Sequence, residues 1–185
     1  MVADGVSLQP DGMTFSTNAQ YAIPDAGHIS GDAGTISFSI QPQWDGSDGS
    51  NASLVQLSTP NVWENRIEIG KSGDILRFMF FPDSGVESGV GAQISNWQAG
   101  DWHQVTTTWG PDANGVNMLA LYVDGNLIGS QPYDGQLQVP SGQPLYIGSN
   151  YTGGTAANGA ISNFQVYNRA LAPSEIATGA AVSGH

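Results

Sequence analysis

The sequence predicts an all-β fold, a sandwich or a barrel built from short strands. Runs rich in β-branched, aromatic and alternating residues recur along the chain, and Gly, Pro, Asn or Asp bounds each run. The 25 glycines and 10 prolines are spread between these runs, as expected for a fold with many turns. Strands at this spacing are typical of a sandwich or barrel. The predicted strands are Gly12–Phe15, Gln20–Ile23, Thr35–Gln41, Ser53–Leu57, Arg66–Ile69, Ile75–Phe81, Ala92–Ile94, Trp102–Trp109, Met118–Asp124, Asn126–Ser130, Pro144–Ile147 and Ala160–Tyr167.

The clearest single strand is the third. Its apolar residues Ile36, Phe38 and Ile40 alternate with hydroxyl residues, so the apolar set shares one face of the predicted sheet. Further along, the dipeptide Asp124–Gly125 separates two apolar runs. This dipeptide is a strong signal for a tight β-hairpin, because both of its residues tolerate positive φ.

A chain of 185 residues, 39% of them hydrophobic, is long enough for one domain with a sizeable core. The one candidate helix is Ala172–Thr178, directly after the last strand. We therefore expect one domain over residues 1–178 and a loose, small-residue tail over residues 179–185. No signal peptide is visible, and we expect an excised domain of a larger extracellular or cell-surface protein.

Charge and composition exclude several classes of partner. Four Lys and Arg residues stand against 16 Asp and Glu residues, which gives a net charge of −12. Such a surface repels phosphate backbones and anionic lipid, so neither nucleic acid nor a membrane surface is an expected partner. The apolar runs are too short to cross a bilayer, so membrane insertion is not expected. The chain has no cysteine and therefore no disulfide or thiolate metal site.

The order of motifs along the chain carries a resemblance. The motifs are Gly12–Phe15, Tyr21–Pro24, Gly34–Pro42, Trp102–Trp109, Leu119–Gly129, Leu145–Gly148, Ile161–Leu171 and Pro173–Ile176. This order resembles laminin-G-like and pentraxin-like domains of the concanavalin A-like lectin and glucanase superfamily. The resemblance implies a two-sheet antiparallel jelly-roll sandwich with a short helical turn at its C-terminal end. It also implies a function that is more often binding than cleavage, which must be argued from a site.

Aromatic residues in loops are the candidate carbohydrate contacts, because sugars present apolar C–H faces to flat rings. Trp63 lies in a polar loop, and Trp44 adjoins an acidic turn. Tyr133 and Tyr151 occupy two further loops, and Asn150 beside Tyr151 offers an amide for sugar hydroxyls. We expect these five residues to contact a glycan or polysaccharide.

Calcium is the candidate cofactor. An acidic turn between two strands gathers oxygen donors from Asp45, Asp48 and Asn51, which are ligands of the kind that calcium prefers. The spacing is not that of an EF-hand. The resemblance implies a second position near the N-terminal loop, where Asp25 and Asp32 lie.

A polar patch is predicted on one sheet face. Arg66 and Glu68 alternate with isoleucines, and Arg77 alternates with apolar residues on the next strand. If the two strands are neighbours, the three side chains share one face of the sheet, either as surface ion pairs or as part of a site. A lyase or glycoside hydrolase that uses these side chains is one functional hypothesis, and it ranks behind the two binding hypotheses given below. The strand pattern Glu-x-Asp-x-x-Glu that related glycosidases use is absent, so we expect no catalysis.

These observations favour a non-catalytic, lectin-like carbohydrate-binding module of a secreted or surface protein, with calcium as an optional aid. The alternative is a structural or protein-interaction module of an adhesin, virion or exoprotein that contacts neighbouring domains of its parent protein. Exposure of the loop aromatics discriminates between the two, because a ring that is buried braces the fold instead of binding sugar.

Overall fold

A computed structural model describes residues 6–9, 12–16, 19–23 and 29–183. In these residues thirteen strands are followed by one helix. Their bounds are β1 (Val6–Gln9), β2 (Gly12–Phe15), β3 (Tyr21–Ile23), β4 (Gly34–Pro42), β5 (Asn51–Leu57), β6 (Arg66–Ser72), β7 (Ile75–Phe81), β8 (Ser88–Gln93), β9 (His103–Pro111), β10 (Asn117–Val123), β11 (Asn126–Pro132), β12 (Leu145–Ile147), β13 (Gly159–Tyr167) and α1 (Pro173–Ser183).

The strands form two antiparallel sheets. One has seven strands in the order β1-β2-β13-β4-β9-β10-β11, and the other has six in the order β3-β12-β5-β6-β7-β8. Neighbours such as β4 and β13, or β5 and β12, are distant in sequence, so the connections cross between the sheets. The predicted two-sheet antiparallel jelly-roll sandwich is confirmed.

The core lies between the two sheets. On β4, Ile36, Phe38 and Ile40 are at most 1% exposed, which confirms the predicted alternation. They share the core with Phe80 of the six-stranded sheet and Trp109 of the seven-stranded sheet, whose ring centroids lie 6.4 Å apart. Burying each such side chain contributes about 1.5–3 kcal/mol.

The C-terminal segment covers part of the outer face of the seven-stranded sheet. The Thr35 hydroxyl donates to the carbonyl of Arg169 at 2.8 Å and accepts from the Leu171 amide at 3.0 Å. Ile176 of α1 is 2% exposed and packs in a small cluster with Tyr122. Polar residues on this face of β4 are therefore buried instead of solvated, although their alternation with apolar residues resembles that of a solvent-facing strand.

The hairpin between β10 and β11 turns at the predicted dipeptide. Asp124 has φ 51° and Gly125 has φ 77°, so both central residues adopt the left-handed conformation of a type I′ turn. The Asp124 side chain reinforces the turn by accepting the amide of Gln104 at 2.8 Å.

Several elements extend beyond their predicted bounds, and helix α1 and strand β8 do so by the most residues. Helix α1 continues to Ser183, through five residues that the sequence assigned to a loose tail, because alanines with high helix propensity follow Gly179. Strand β8 begins at Ser88, whereas only Ala92–Ile94 was predicted. Its glycines weaken the sequence signal for a strand, yet they pair in register with β7. Strand β1 was not predicted.

Candidate functional site

An open groove of about 290 Å³ crosses the outer face of the six-stranded sheet. Its size is near the lower end of the range for small-ligand sites. Strands β5, β6 and β7 provide most of its lining, and the part of that lining used below consists of Gln56, Glu68, Gly70, Arg77, Met79 and Phe81. We refer to this feature as the outer groove.

Strand register brings the predicted polar patch into the outer groove. Arg66 on β6 pairs with Phe81 on β7, and Gly70 pairs with Arg77, so these positions share one face. Glu68 lies between Arg66 and Gly70 on the same face, since alternate residues of a strand point the same way. The prediction that Arg66, Glu68 and Arg77 share one sheet face if their strands are neighbours is confirmed, although only Arg66 and Glu68 form an ion pair.

Trp63 and Arg66 form the most unusual contact beside the groove. The Trp63 side chain is 67% exposed, whereas Arg66 is 7% exposed. The guanidinium carbon of Arg66 lies 4.7 Å from the centre of the Trp63 ring, 5.7 Å from that of Phe81 and 6.0 Å from that of Tyr151. Cation–π attraction therefore holds three aromatic rings around one cation.

The loop that carries Trp63 is fixed at both of its turns. Asn61 and Asn65 have φ values of 63° and 58°, a conformation that asparagine tolerates better than most residues. The Asn65 side-chain oxygen accepts the amide of Gln138 at 2.7 Å, and its carbonyl accepts the amide side chain of Gln143 at 2.8 Å. Trp63 is thus held in an exposed position by a loop tied to a distant part of the chain.

A hydrogen-bond network joins the floor of the groove to the Tyr151 loop. The Glu68 carboxylate accepts from the Arg66 guanidinium and from the side-chain amide of Gln56. The Gln56 side-chain oxygen in turn accepts the backbone amide of Tyr151 at 2.8 Å. The sheet and the loop therefore present Tyr151 and Arg66 in one fixed arrangement.

Asn150 organises the same loop from within. Its side-chain oxygen accepts the hydroxyl of Thr152 at 2.8 Å and the amide of Gly154 at 3.2 Å, while its amide donates to the Thr155 hydroxyl at 3.1 Å. These bonds define the shape of the loop that carries Tyr151. A contact between Asn150 and sugar stays a prediction.

Trp44 and Tyr133 are each 6% exposed, which contradicts the expectation that they stack on a glycan. The Trp44 indole donates to the carbonyl of Ala157 at 2.7 Å, and its ring stacks on Trp97. Tyr133 packs 4.7 Å from Phe80, and burial raises the pKa of Tyr133 to about 12. Both rings belong to the hydrophobic core, so a sugar has no access to their faces.

The acidic turn already contains a cation. The Lys71 ammonium lies 2.6 Å from a carboxylate oxygen of Asp48 and 2.8 Å from the carbonyl of Ser50. The Lys71 hydrogen bond, with help from the Ser50 amide, lowers the pKa of Asp48 to about 2. A divalent ion placed on this carboxylate would be repelled by the ammonium. The turn as folded does not fit a calcium ion.

The other expected calcium ligands either accept hydrogen bonds from backbone amides or do not belong to the acidic turn. The Asp45 carboxylate accepts the amide of Ala99 at 3.0 Å, and Asn51 accepts the amide of Gly73 at 3.2 Å. Asp32 is exposed, and Asp25 lies outside the described residues. Within the described ranges, no three His, Asp or Glu side chains come together as a metal site. Calcium binding stays a prediction of the sequence alone.

Phe81 and Gln56 are among the groove residues that were not singled out from the sequence. Phe81 could have been found, because it continues the outward-facing alternation of Arg77 and Met79 along β7. Gln56 could not, because its role depends on the register that places it opposite Glu68, and register is not readable from either strand alone.

Comparison with protein-family profiles shows to which family this chain belongs. The profile described as the concanavalin A-like lectin/glucanases superfamily matches residues 15–177. The chain belongs to the concanavalin A-like lectin/glucanase superfamily. The resemblance read from the motif order is therefore confirmed. No curated protein sequence matches the chain.

Solved structures similar to this superfamily member include domains of botulinum neurotoxins. The receptor-binding domain of the C/D mosaic serotype superposes with a TM-score of 0.76 at 13% identity, over 99% of this chain and 46% of that one. The serotype D ligand-binding domain in complex with N-acetylneuraminic acid gives a TM-score of 0.73 at 13% identity, over 99% and 45%. The type G receptor-binding domain gives 0.67 at 13% identity, over 98% and 45%.

At this identity the likeness is one of fold. The chain spans less than half the length of each of these neurotoxin domains. Among the described residues, no helix is long and apolar enough to span a membrane. The function of this superfamily member must therefore be argued from its own groove.

Proposed function

We propose that this chain is a non-catalytic carbohydrate-binding module of a larger secreted or surface protein. A glycan lies in the outer groove and stacks one sugar ring on Trp63. The observation that carries the proposal is the 67% exposure of Trp63 beside a polar groove. Trp63 is not an isolated exposed ring, since Phe81 and Tyr151 surround the same Arg66, and a contiguous aromatic surface with polar groups beside it is typical of a binding site.

The support of Trp63 is suited to sugar stacking. Arg66 and Phe81 hold the ring from the groove side, so its orientation is set before a ligand arrives. Such preorganisation reduces the entropy lost on binding. Glu68, Gln56 and the Tyr151 loop supply polar groups at the same end, where the hydroxyls of a stacked sugar would lie.

The groove favours binding over cleavage. Retaining glycosidases place two carboxyl groups about 5–5.5 Å apart, with one of them free to attack or donate a proton. Glu68 is engaged by both Arg66 and Gln56, so its carboxylate serves the network instead. The proposal also needs no calcium, because Lys71 neutralises the acidic turn.

The comparison with the serotype D neurotoxin domain adds support for the ligand class. That protein was solved in complex with N-acetylneuraminic acid, which is a sugar. Neighbouring domains of a parent protein are further expected partners, because relatives of this fold extend well beyond the length of this chain.

The test is a screen of immobilised glycans and polysaccharides with the wild-type chain, in EDTA and again in calcium. We expect binding above background in both buffers, and a loss of at least tenfold in affinity for W63A. L127A is the matched control, because Leu127 is 54% exposed on the other sheet. A screen without any binder, or a W63A variant that binds like the wild type, would overturn the proposal.

A second candidate, a protein-interaction module, is favoured by one observation. Leu127 and Ile128 are 54% and 46% exposed on β11, which is the edge strand of the seven-stranded sheet. Exposed apolar edge strands invite pairing with another chain or domain. Hydrogen exchange measured on the parent protein and on this chain alone tests it: amides of β11 that are protected only in the parent support an interdomain contact.

A further inference from the structure

The basic side chains of this acidic chain are unevenly placed. The chain has four Lys and Arg residues at a net charge of −12. Two of them, Lys71 and Arg77, line the outer groove, and Arg66 adjoins it. Three of the four basic side chains therefore lie in or beside the groove, together with the carboxylates of Glu68 and Glu87, and Arg77 is the exposed one of the three.

Three of the four basic side chains are neutralised by ion pairs. Arg77 is exposed in the groove and forms no ion pair or hydrogen bond with any described residue. In a chain with 16 acidic residues, a cation without a carboxylate partner is uncommon. The pairs that involve the other three are Arg66 with Glu68, Lys71 with Asp48 and Arg169 with Glu175.

Arg77 has a glycine beside it on each neighbouring strand. Its cross-strand partner on β6 is Gly70, and its partner on β8 is Gly91. Side chains at these two positions would stand directly beside the guanidinium. On β8 this leaves backbone alone beside Arg77, whereas on β6 the Ala52 carbonyl oxygen occupies the place that a Cβ of Gly70 would take. From the β8 side the Arg77 fork can meet a planar anion with two parallel hydrogen bonds.

Arg77 and the exposed ring of Trp63, which we call the Trp63 platform, lie too far apart to contact the same sugar. Phe81, which packs against Trp63, is four residues from Arg77 along β7, or about 13 Å at the rise of a β-strand. This distance is longer than one pyranose ring. The ligand must therefore be at least an oligosaccharide if it reaches both groups.

We infer that the glycan bound in the outer groove carries an anionic substituent, a carboxylate or a sulfate ester, and that Arg77 is the residue that recognises it. This inference rests on the proposed function and names its substrate class. The net charge of −12 opposes a densely charged polyanion. The ligand is consequently a mostly neutral oligosaccharide with a single acidic residue placed over Arg77, while a neighbouring sugar stacks on Trp63.

The test uses pairs of oligosaccharides that differ only in the charge. Sialylated and asialo glycans, uronate-containing oligosaccharides with their methyl esters, and sulfated oligosaccharides with their desulfated forms are titrated in EDTA. We expect the charged member of at least one pair to bind about tenfold more tightly or better, since charge-assisted hydrogen bonds are the stronger ones. The pairs that respond separate a carboxylate from a sulfate ester.

Arg77 is tested by R77Q and R77K, with R169Q as the matched control. R77Q and R169Q each remove one positive charge, so both take the net charge from −12 to −13 and alter long-range repulsion equally. We expect R77Q to weaken the acidic ligand about tenfold and leave its neutral counterpart unchanged. R77K keeps the charge without the planar fork and should fall between R77Q and the wild type.

The possible results separate the inference from the proposed function. Neutral glycans that bind as tightly as their acidic counterparts, or an R77Q variant that does not discriminate against the acidic member, overturn the role of Arg77 and leave carbohydrate binding intact. A screen in which neither acidic nor neutral glycans bind overturns both. An acidic preference that R169Q reduces as much as R77Q would assign it to overall charge and also contradict the inference.

Discussion

The guanidinium carbon of Arg66 lies 4.7 Å from the centre of the Trp63 ring, although Arg66 is 7% exposed and Trp63 is 67% exposed. A nearly buried cation thus supports an exposed aromatic ring. The carboxylate of Glu68 keeps the cation in place from below. These contacts of Arg66 explain how the Trp63 ring is held in one orientation although it lies on a loop.

Removal of the cation should separate the platform from its support. We expect R66M to lower glycan affinity about 3- to 10-fold, because the ring loses a cation–π contact. The free energy of unfolding should fall by about 1–3 kcal/mol, since Glu68 and Gln56 lose a partner. Calorimetric titration and urea denaturation measure the two effects. Adding E68Q to R66M should recover part of the stability and none of the affinity; recovery of both would contradict this account of the platform.

A side chain at Gly91, the cross-strand neighbour of Arg77 on β8, should obstruct the ligand with little cost to the fold. Gly91 has ordinary φ, and a Cβ there would meet the Ile75 Cγ2 at 3.0 Å, a contact that a side chain can relieve. We expect G91V to weaken glycan binding at least tenfold while unfolding stability changes by less than about 1 kcal/mol. The control is G129V on β11, where a Cβ has only ordinary contacts. Equal binding by G91V and the wild type would place the ligand elsewhere.

The Asp48–Lys71 pair should give acid-dependent stability. The pKa of the Asp48 carboxyl in the folded protein is about 2, below the ordinary 3.8. The contribution of Asp48 to the free energy of unfolding is therefore present above pH 4 and is lost as the pH falls towards 2. We expect D48N to be about 1–3 kcal/mol less stable than the wild type at pH 7, because the buried Lys71 ammonium loses its partner.

The difference between D48N and the wild type should shrink between pH 4 and pH 2, where Asp48 becomes protonated in both the folded and the unfolded chain. Thermal unfolding at a series of pH values measures it. A difference that is constant over this range would show that the carboxylate charge of Asp48 does not stabilise the fold.

Calcium should not stabilise this chain through the acidic turn. A ligand that binds the folded state raises the unfolding temperature by mass action, so millimolar calcium would shift it by several degrees if a site existed. Because the Lys71 ammonium lies 2.6 Å from Asp48, we expect any difference between the unfolding temperatures in EDTA and in calcium to be the same for D48N and the wild type. A rise that D48N abolishes would contradict the fit argued for this turn.

The sequence predicted the architecture well because packing leaves a periodic signal. Ile36, Phe38 and Ile40 alternate on β4, and Asp124–Gly125 has the composition that a type I′ turn requires. Strand β8 was found only at its end, since Gly89 and Gly91 carry no side chain that could signal a strand. Gly91 is also the residue that lies beside Arg77 on β8.

The candidate site was less accessible to sequence reasoning. Trp44 and Trp63 both occupy polar loops, yet Trp44 folds back onto Trp97 and Trp63 stays exposed. The difference arises from contacts with distant segments, since the Trp44 indole bonds to Ala157. The acidic turn likewise resembled a calcium loop because Lys71, 23 residues away in sequence, gave no sign that it folds onto Asp48.

The central claim is that a glycan stacks on Trp63 in the outer groove, and a titration followed by the indole N–H resonances of the tryptophans tests it most directly. The five tryptophans report separate environments, since Trp44, Trp97 and Trp109 are at most 6% exposed and Trp63 is 67% exposed. With a bound oligosaccharide, we expect the Trp63 indole to shift strongly while those of Trp44 and Trp109 stay in place. A bound glycan that leaves the Trp63 resonance unmoved would contradict the account.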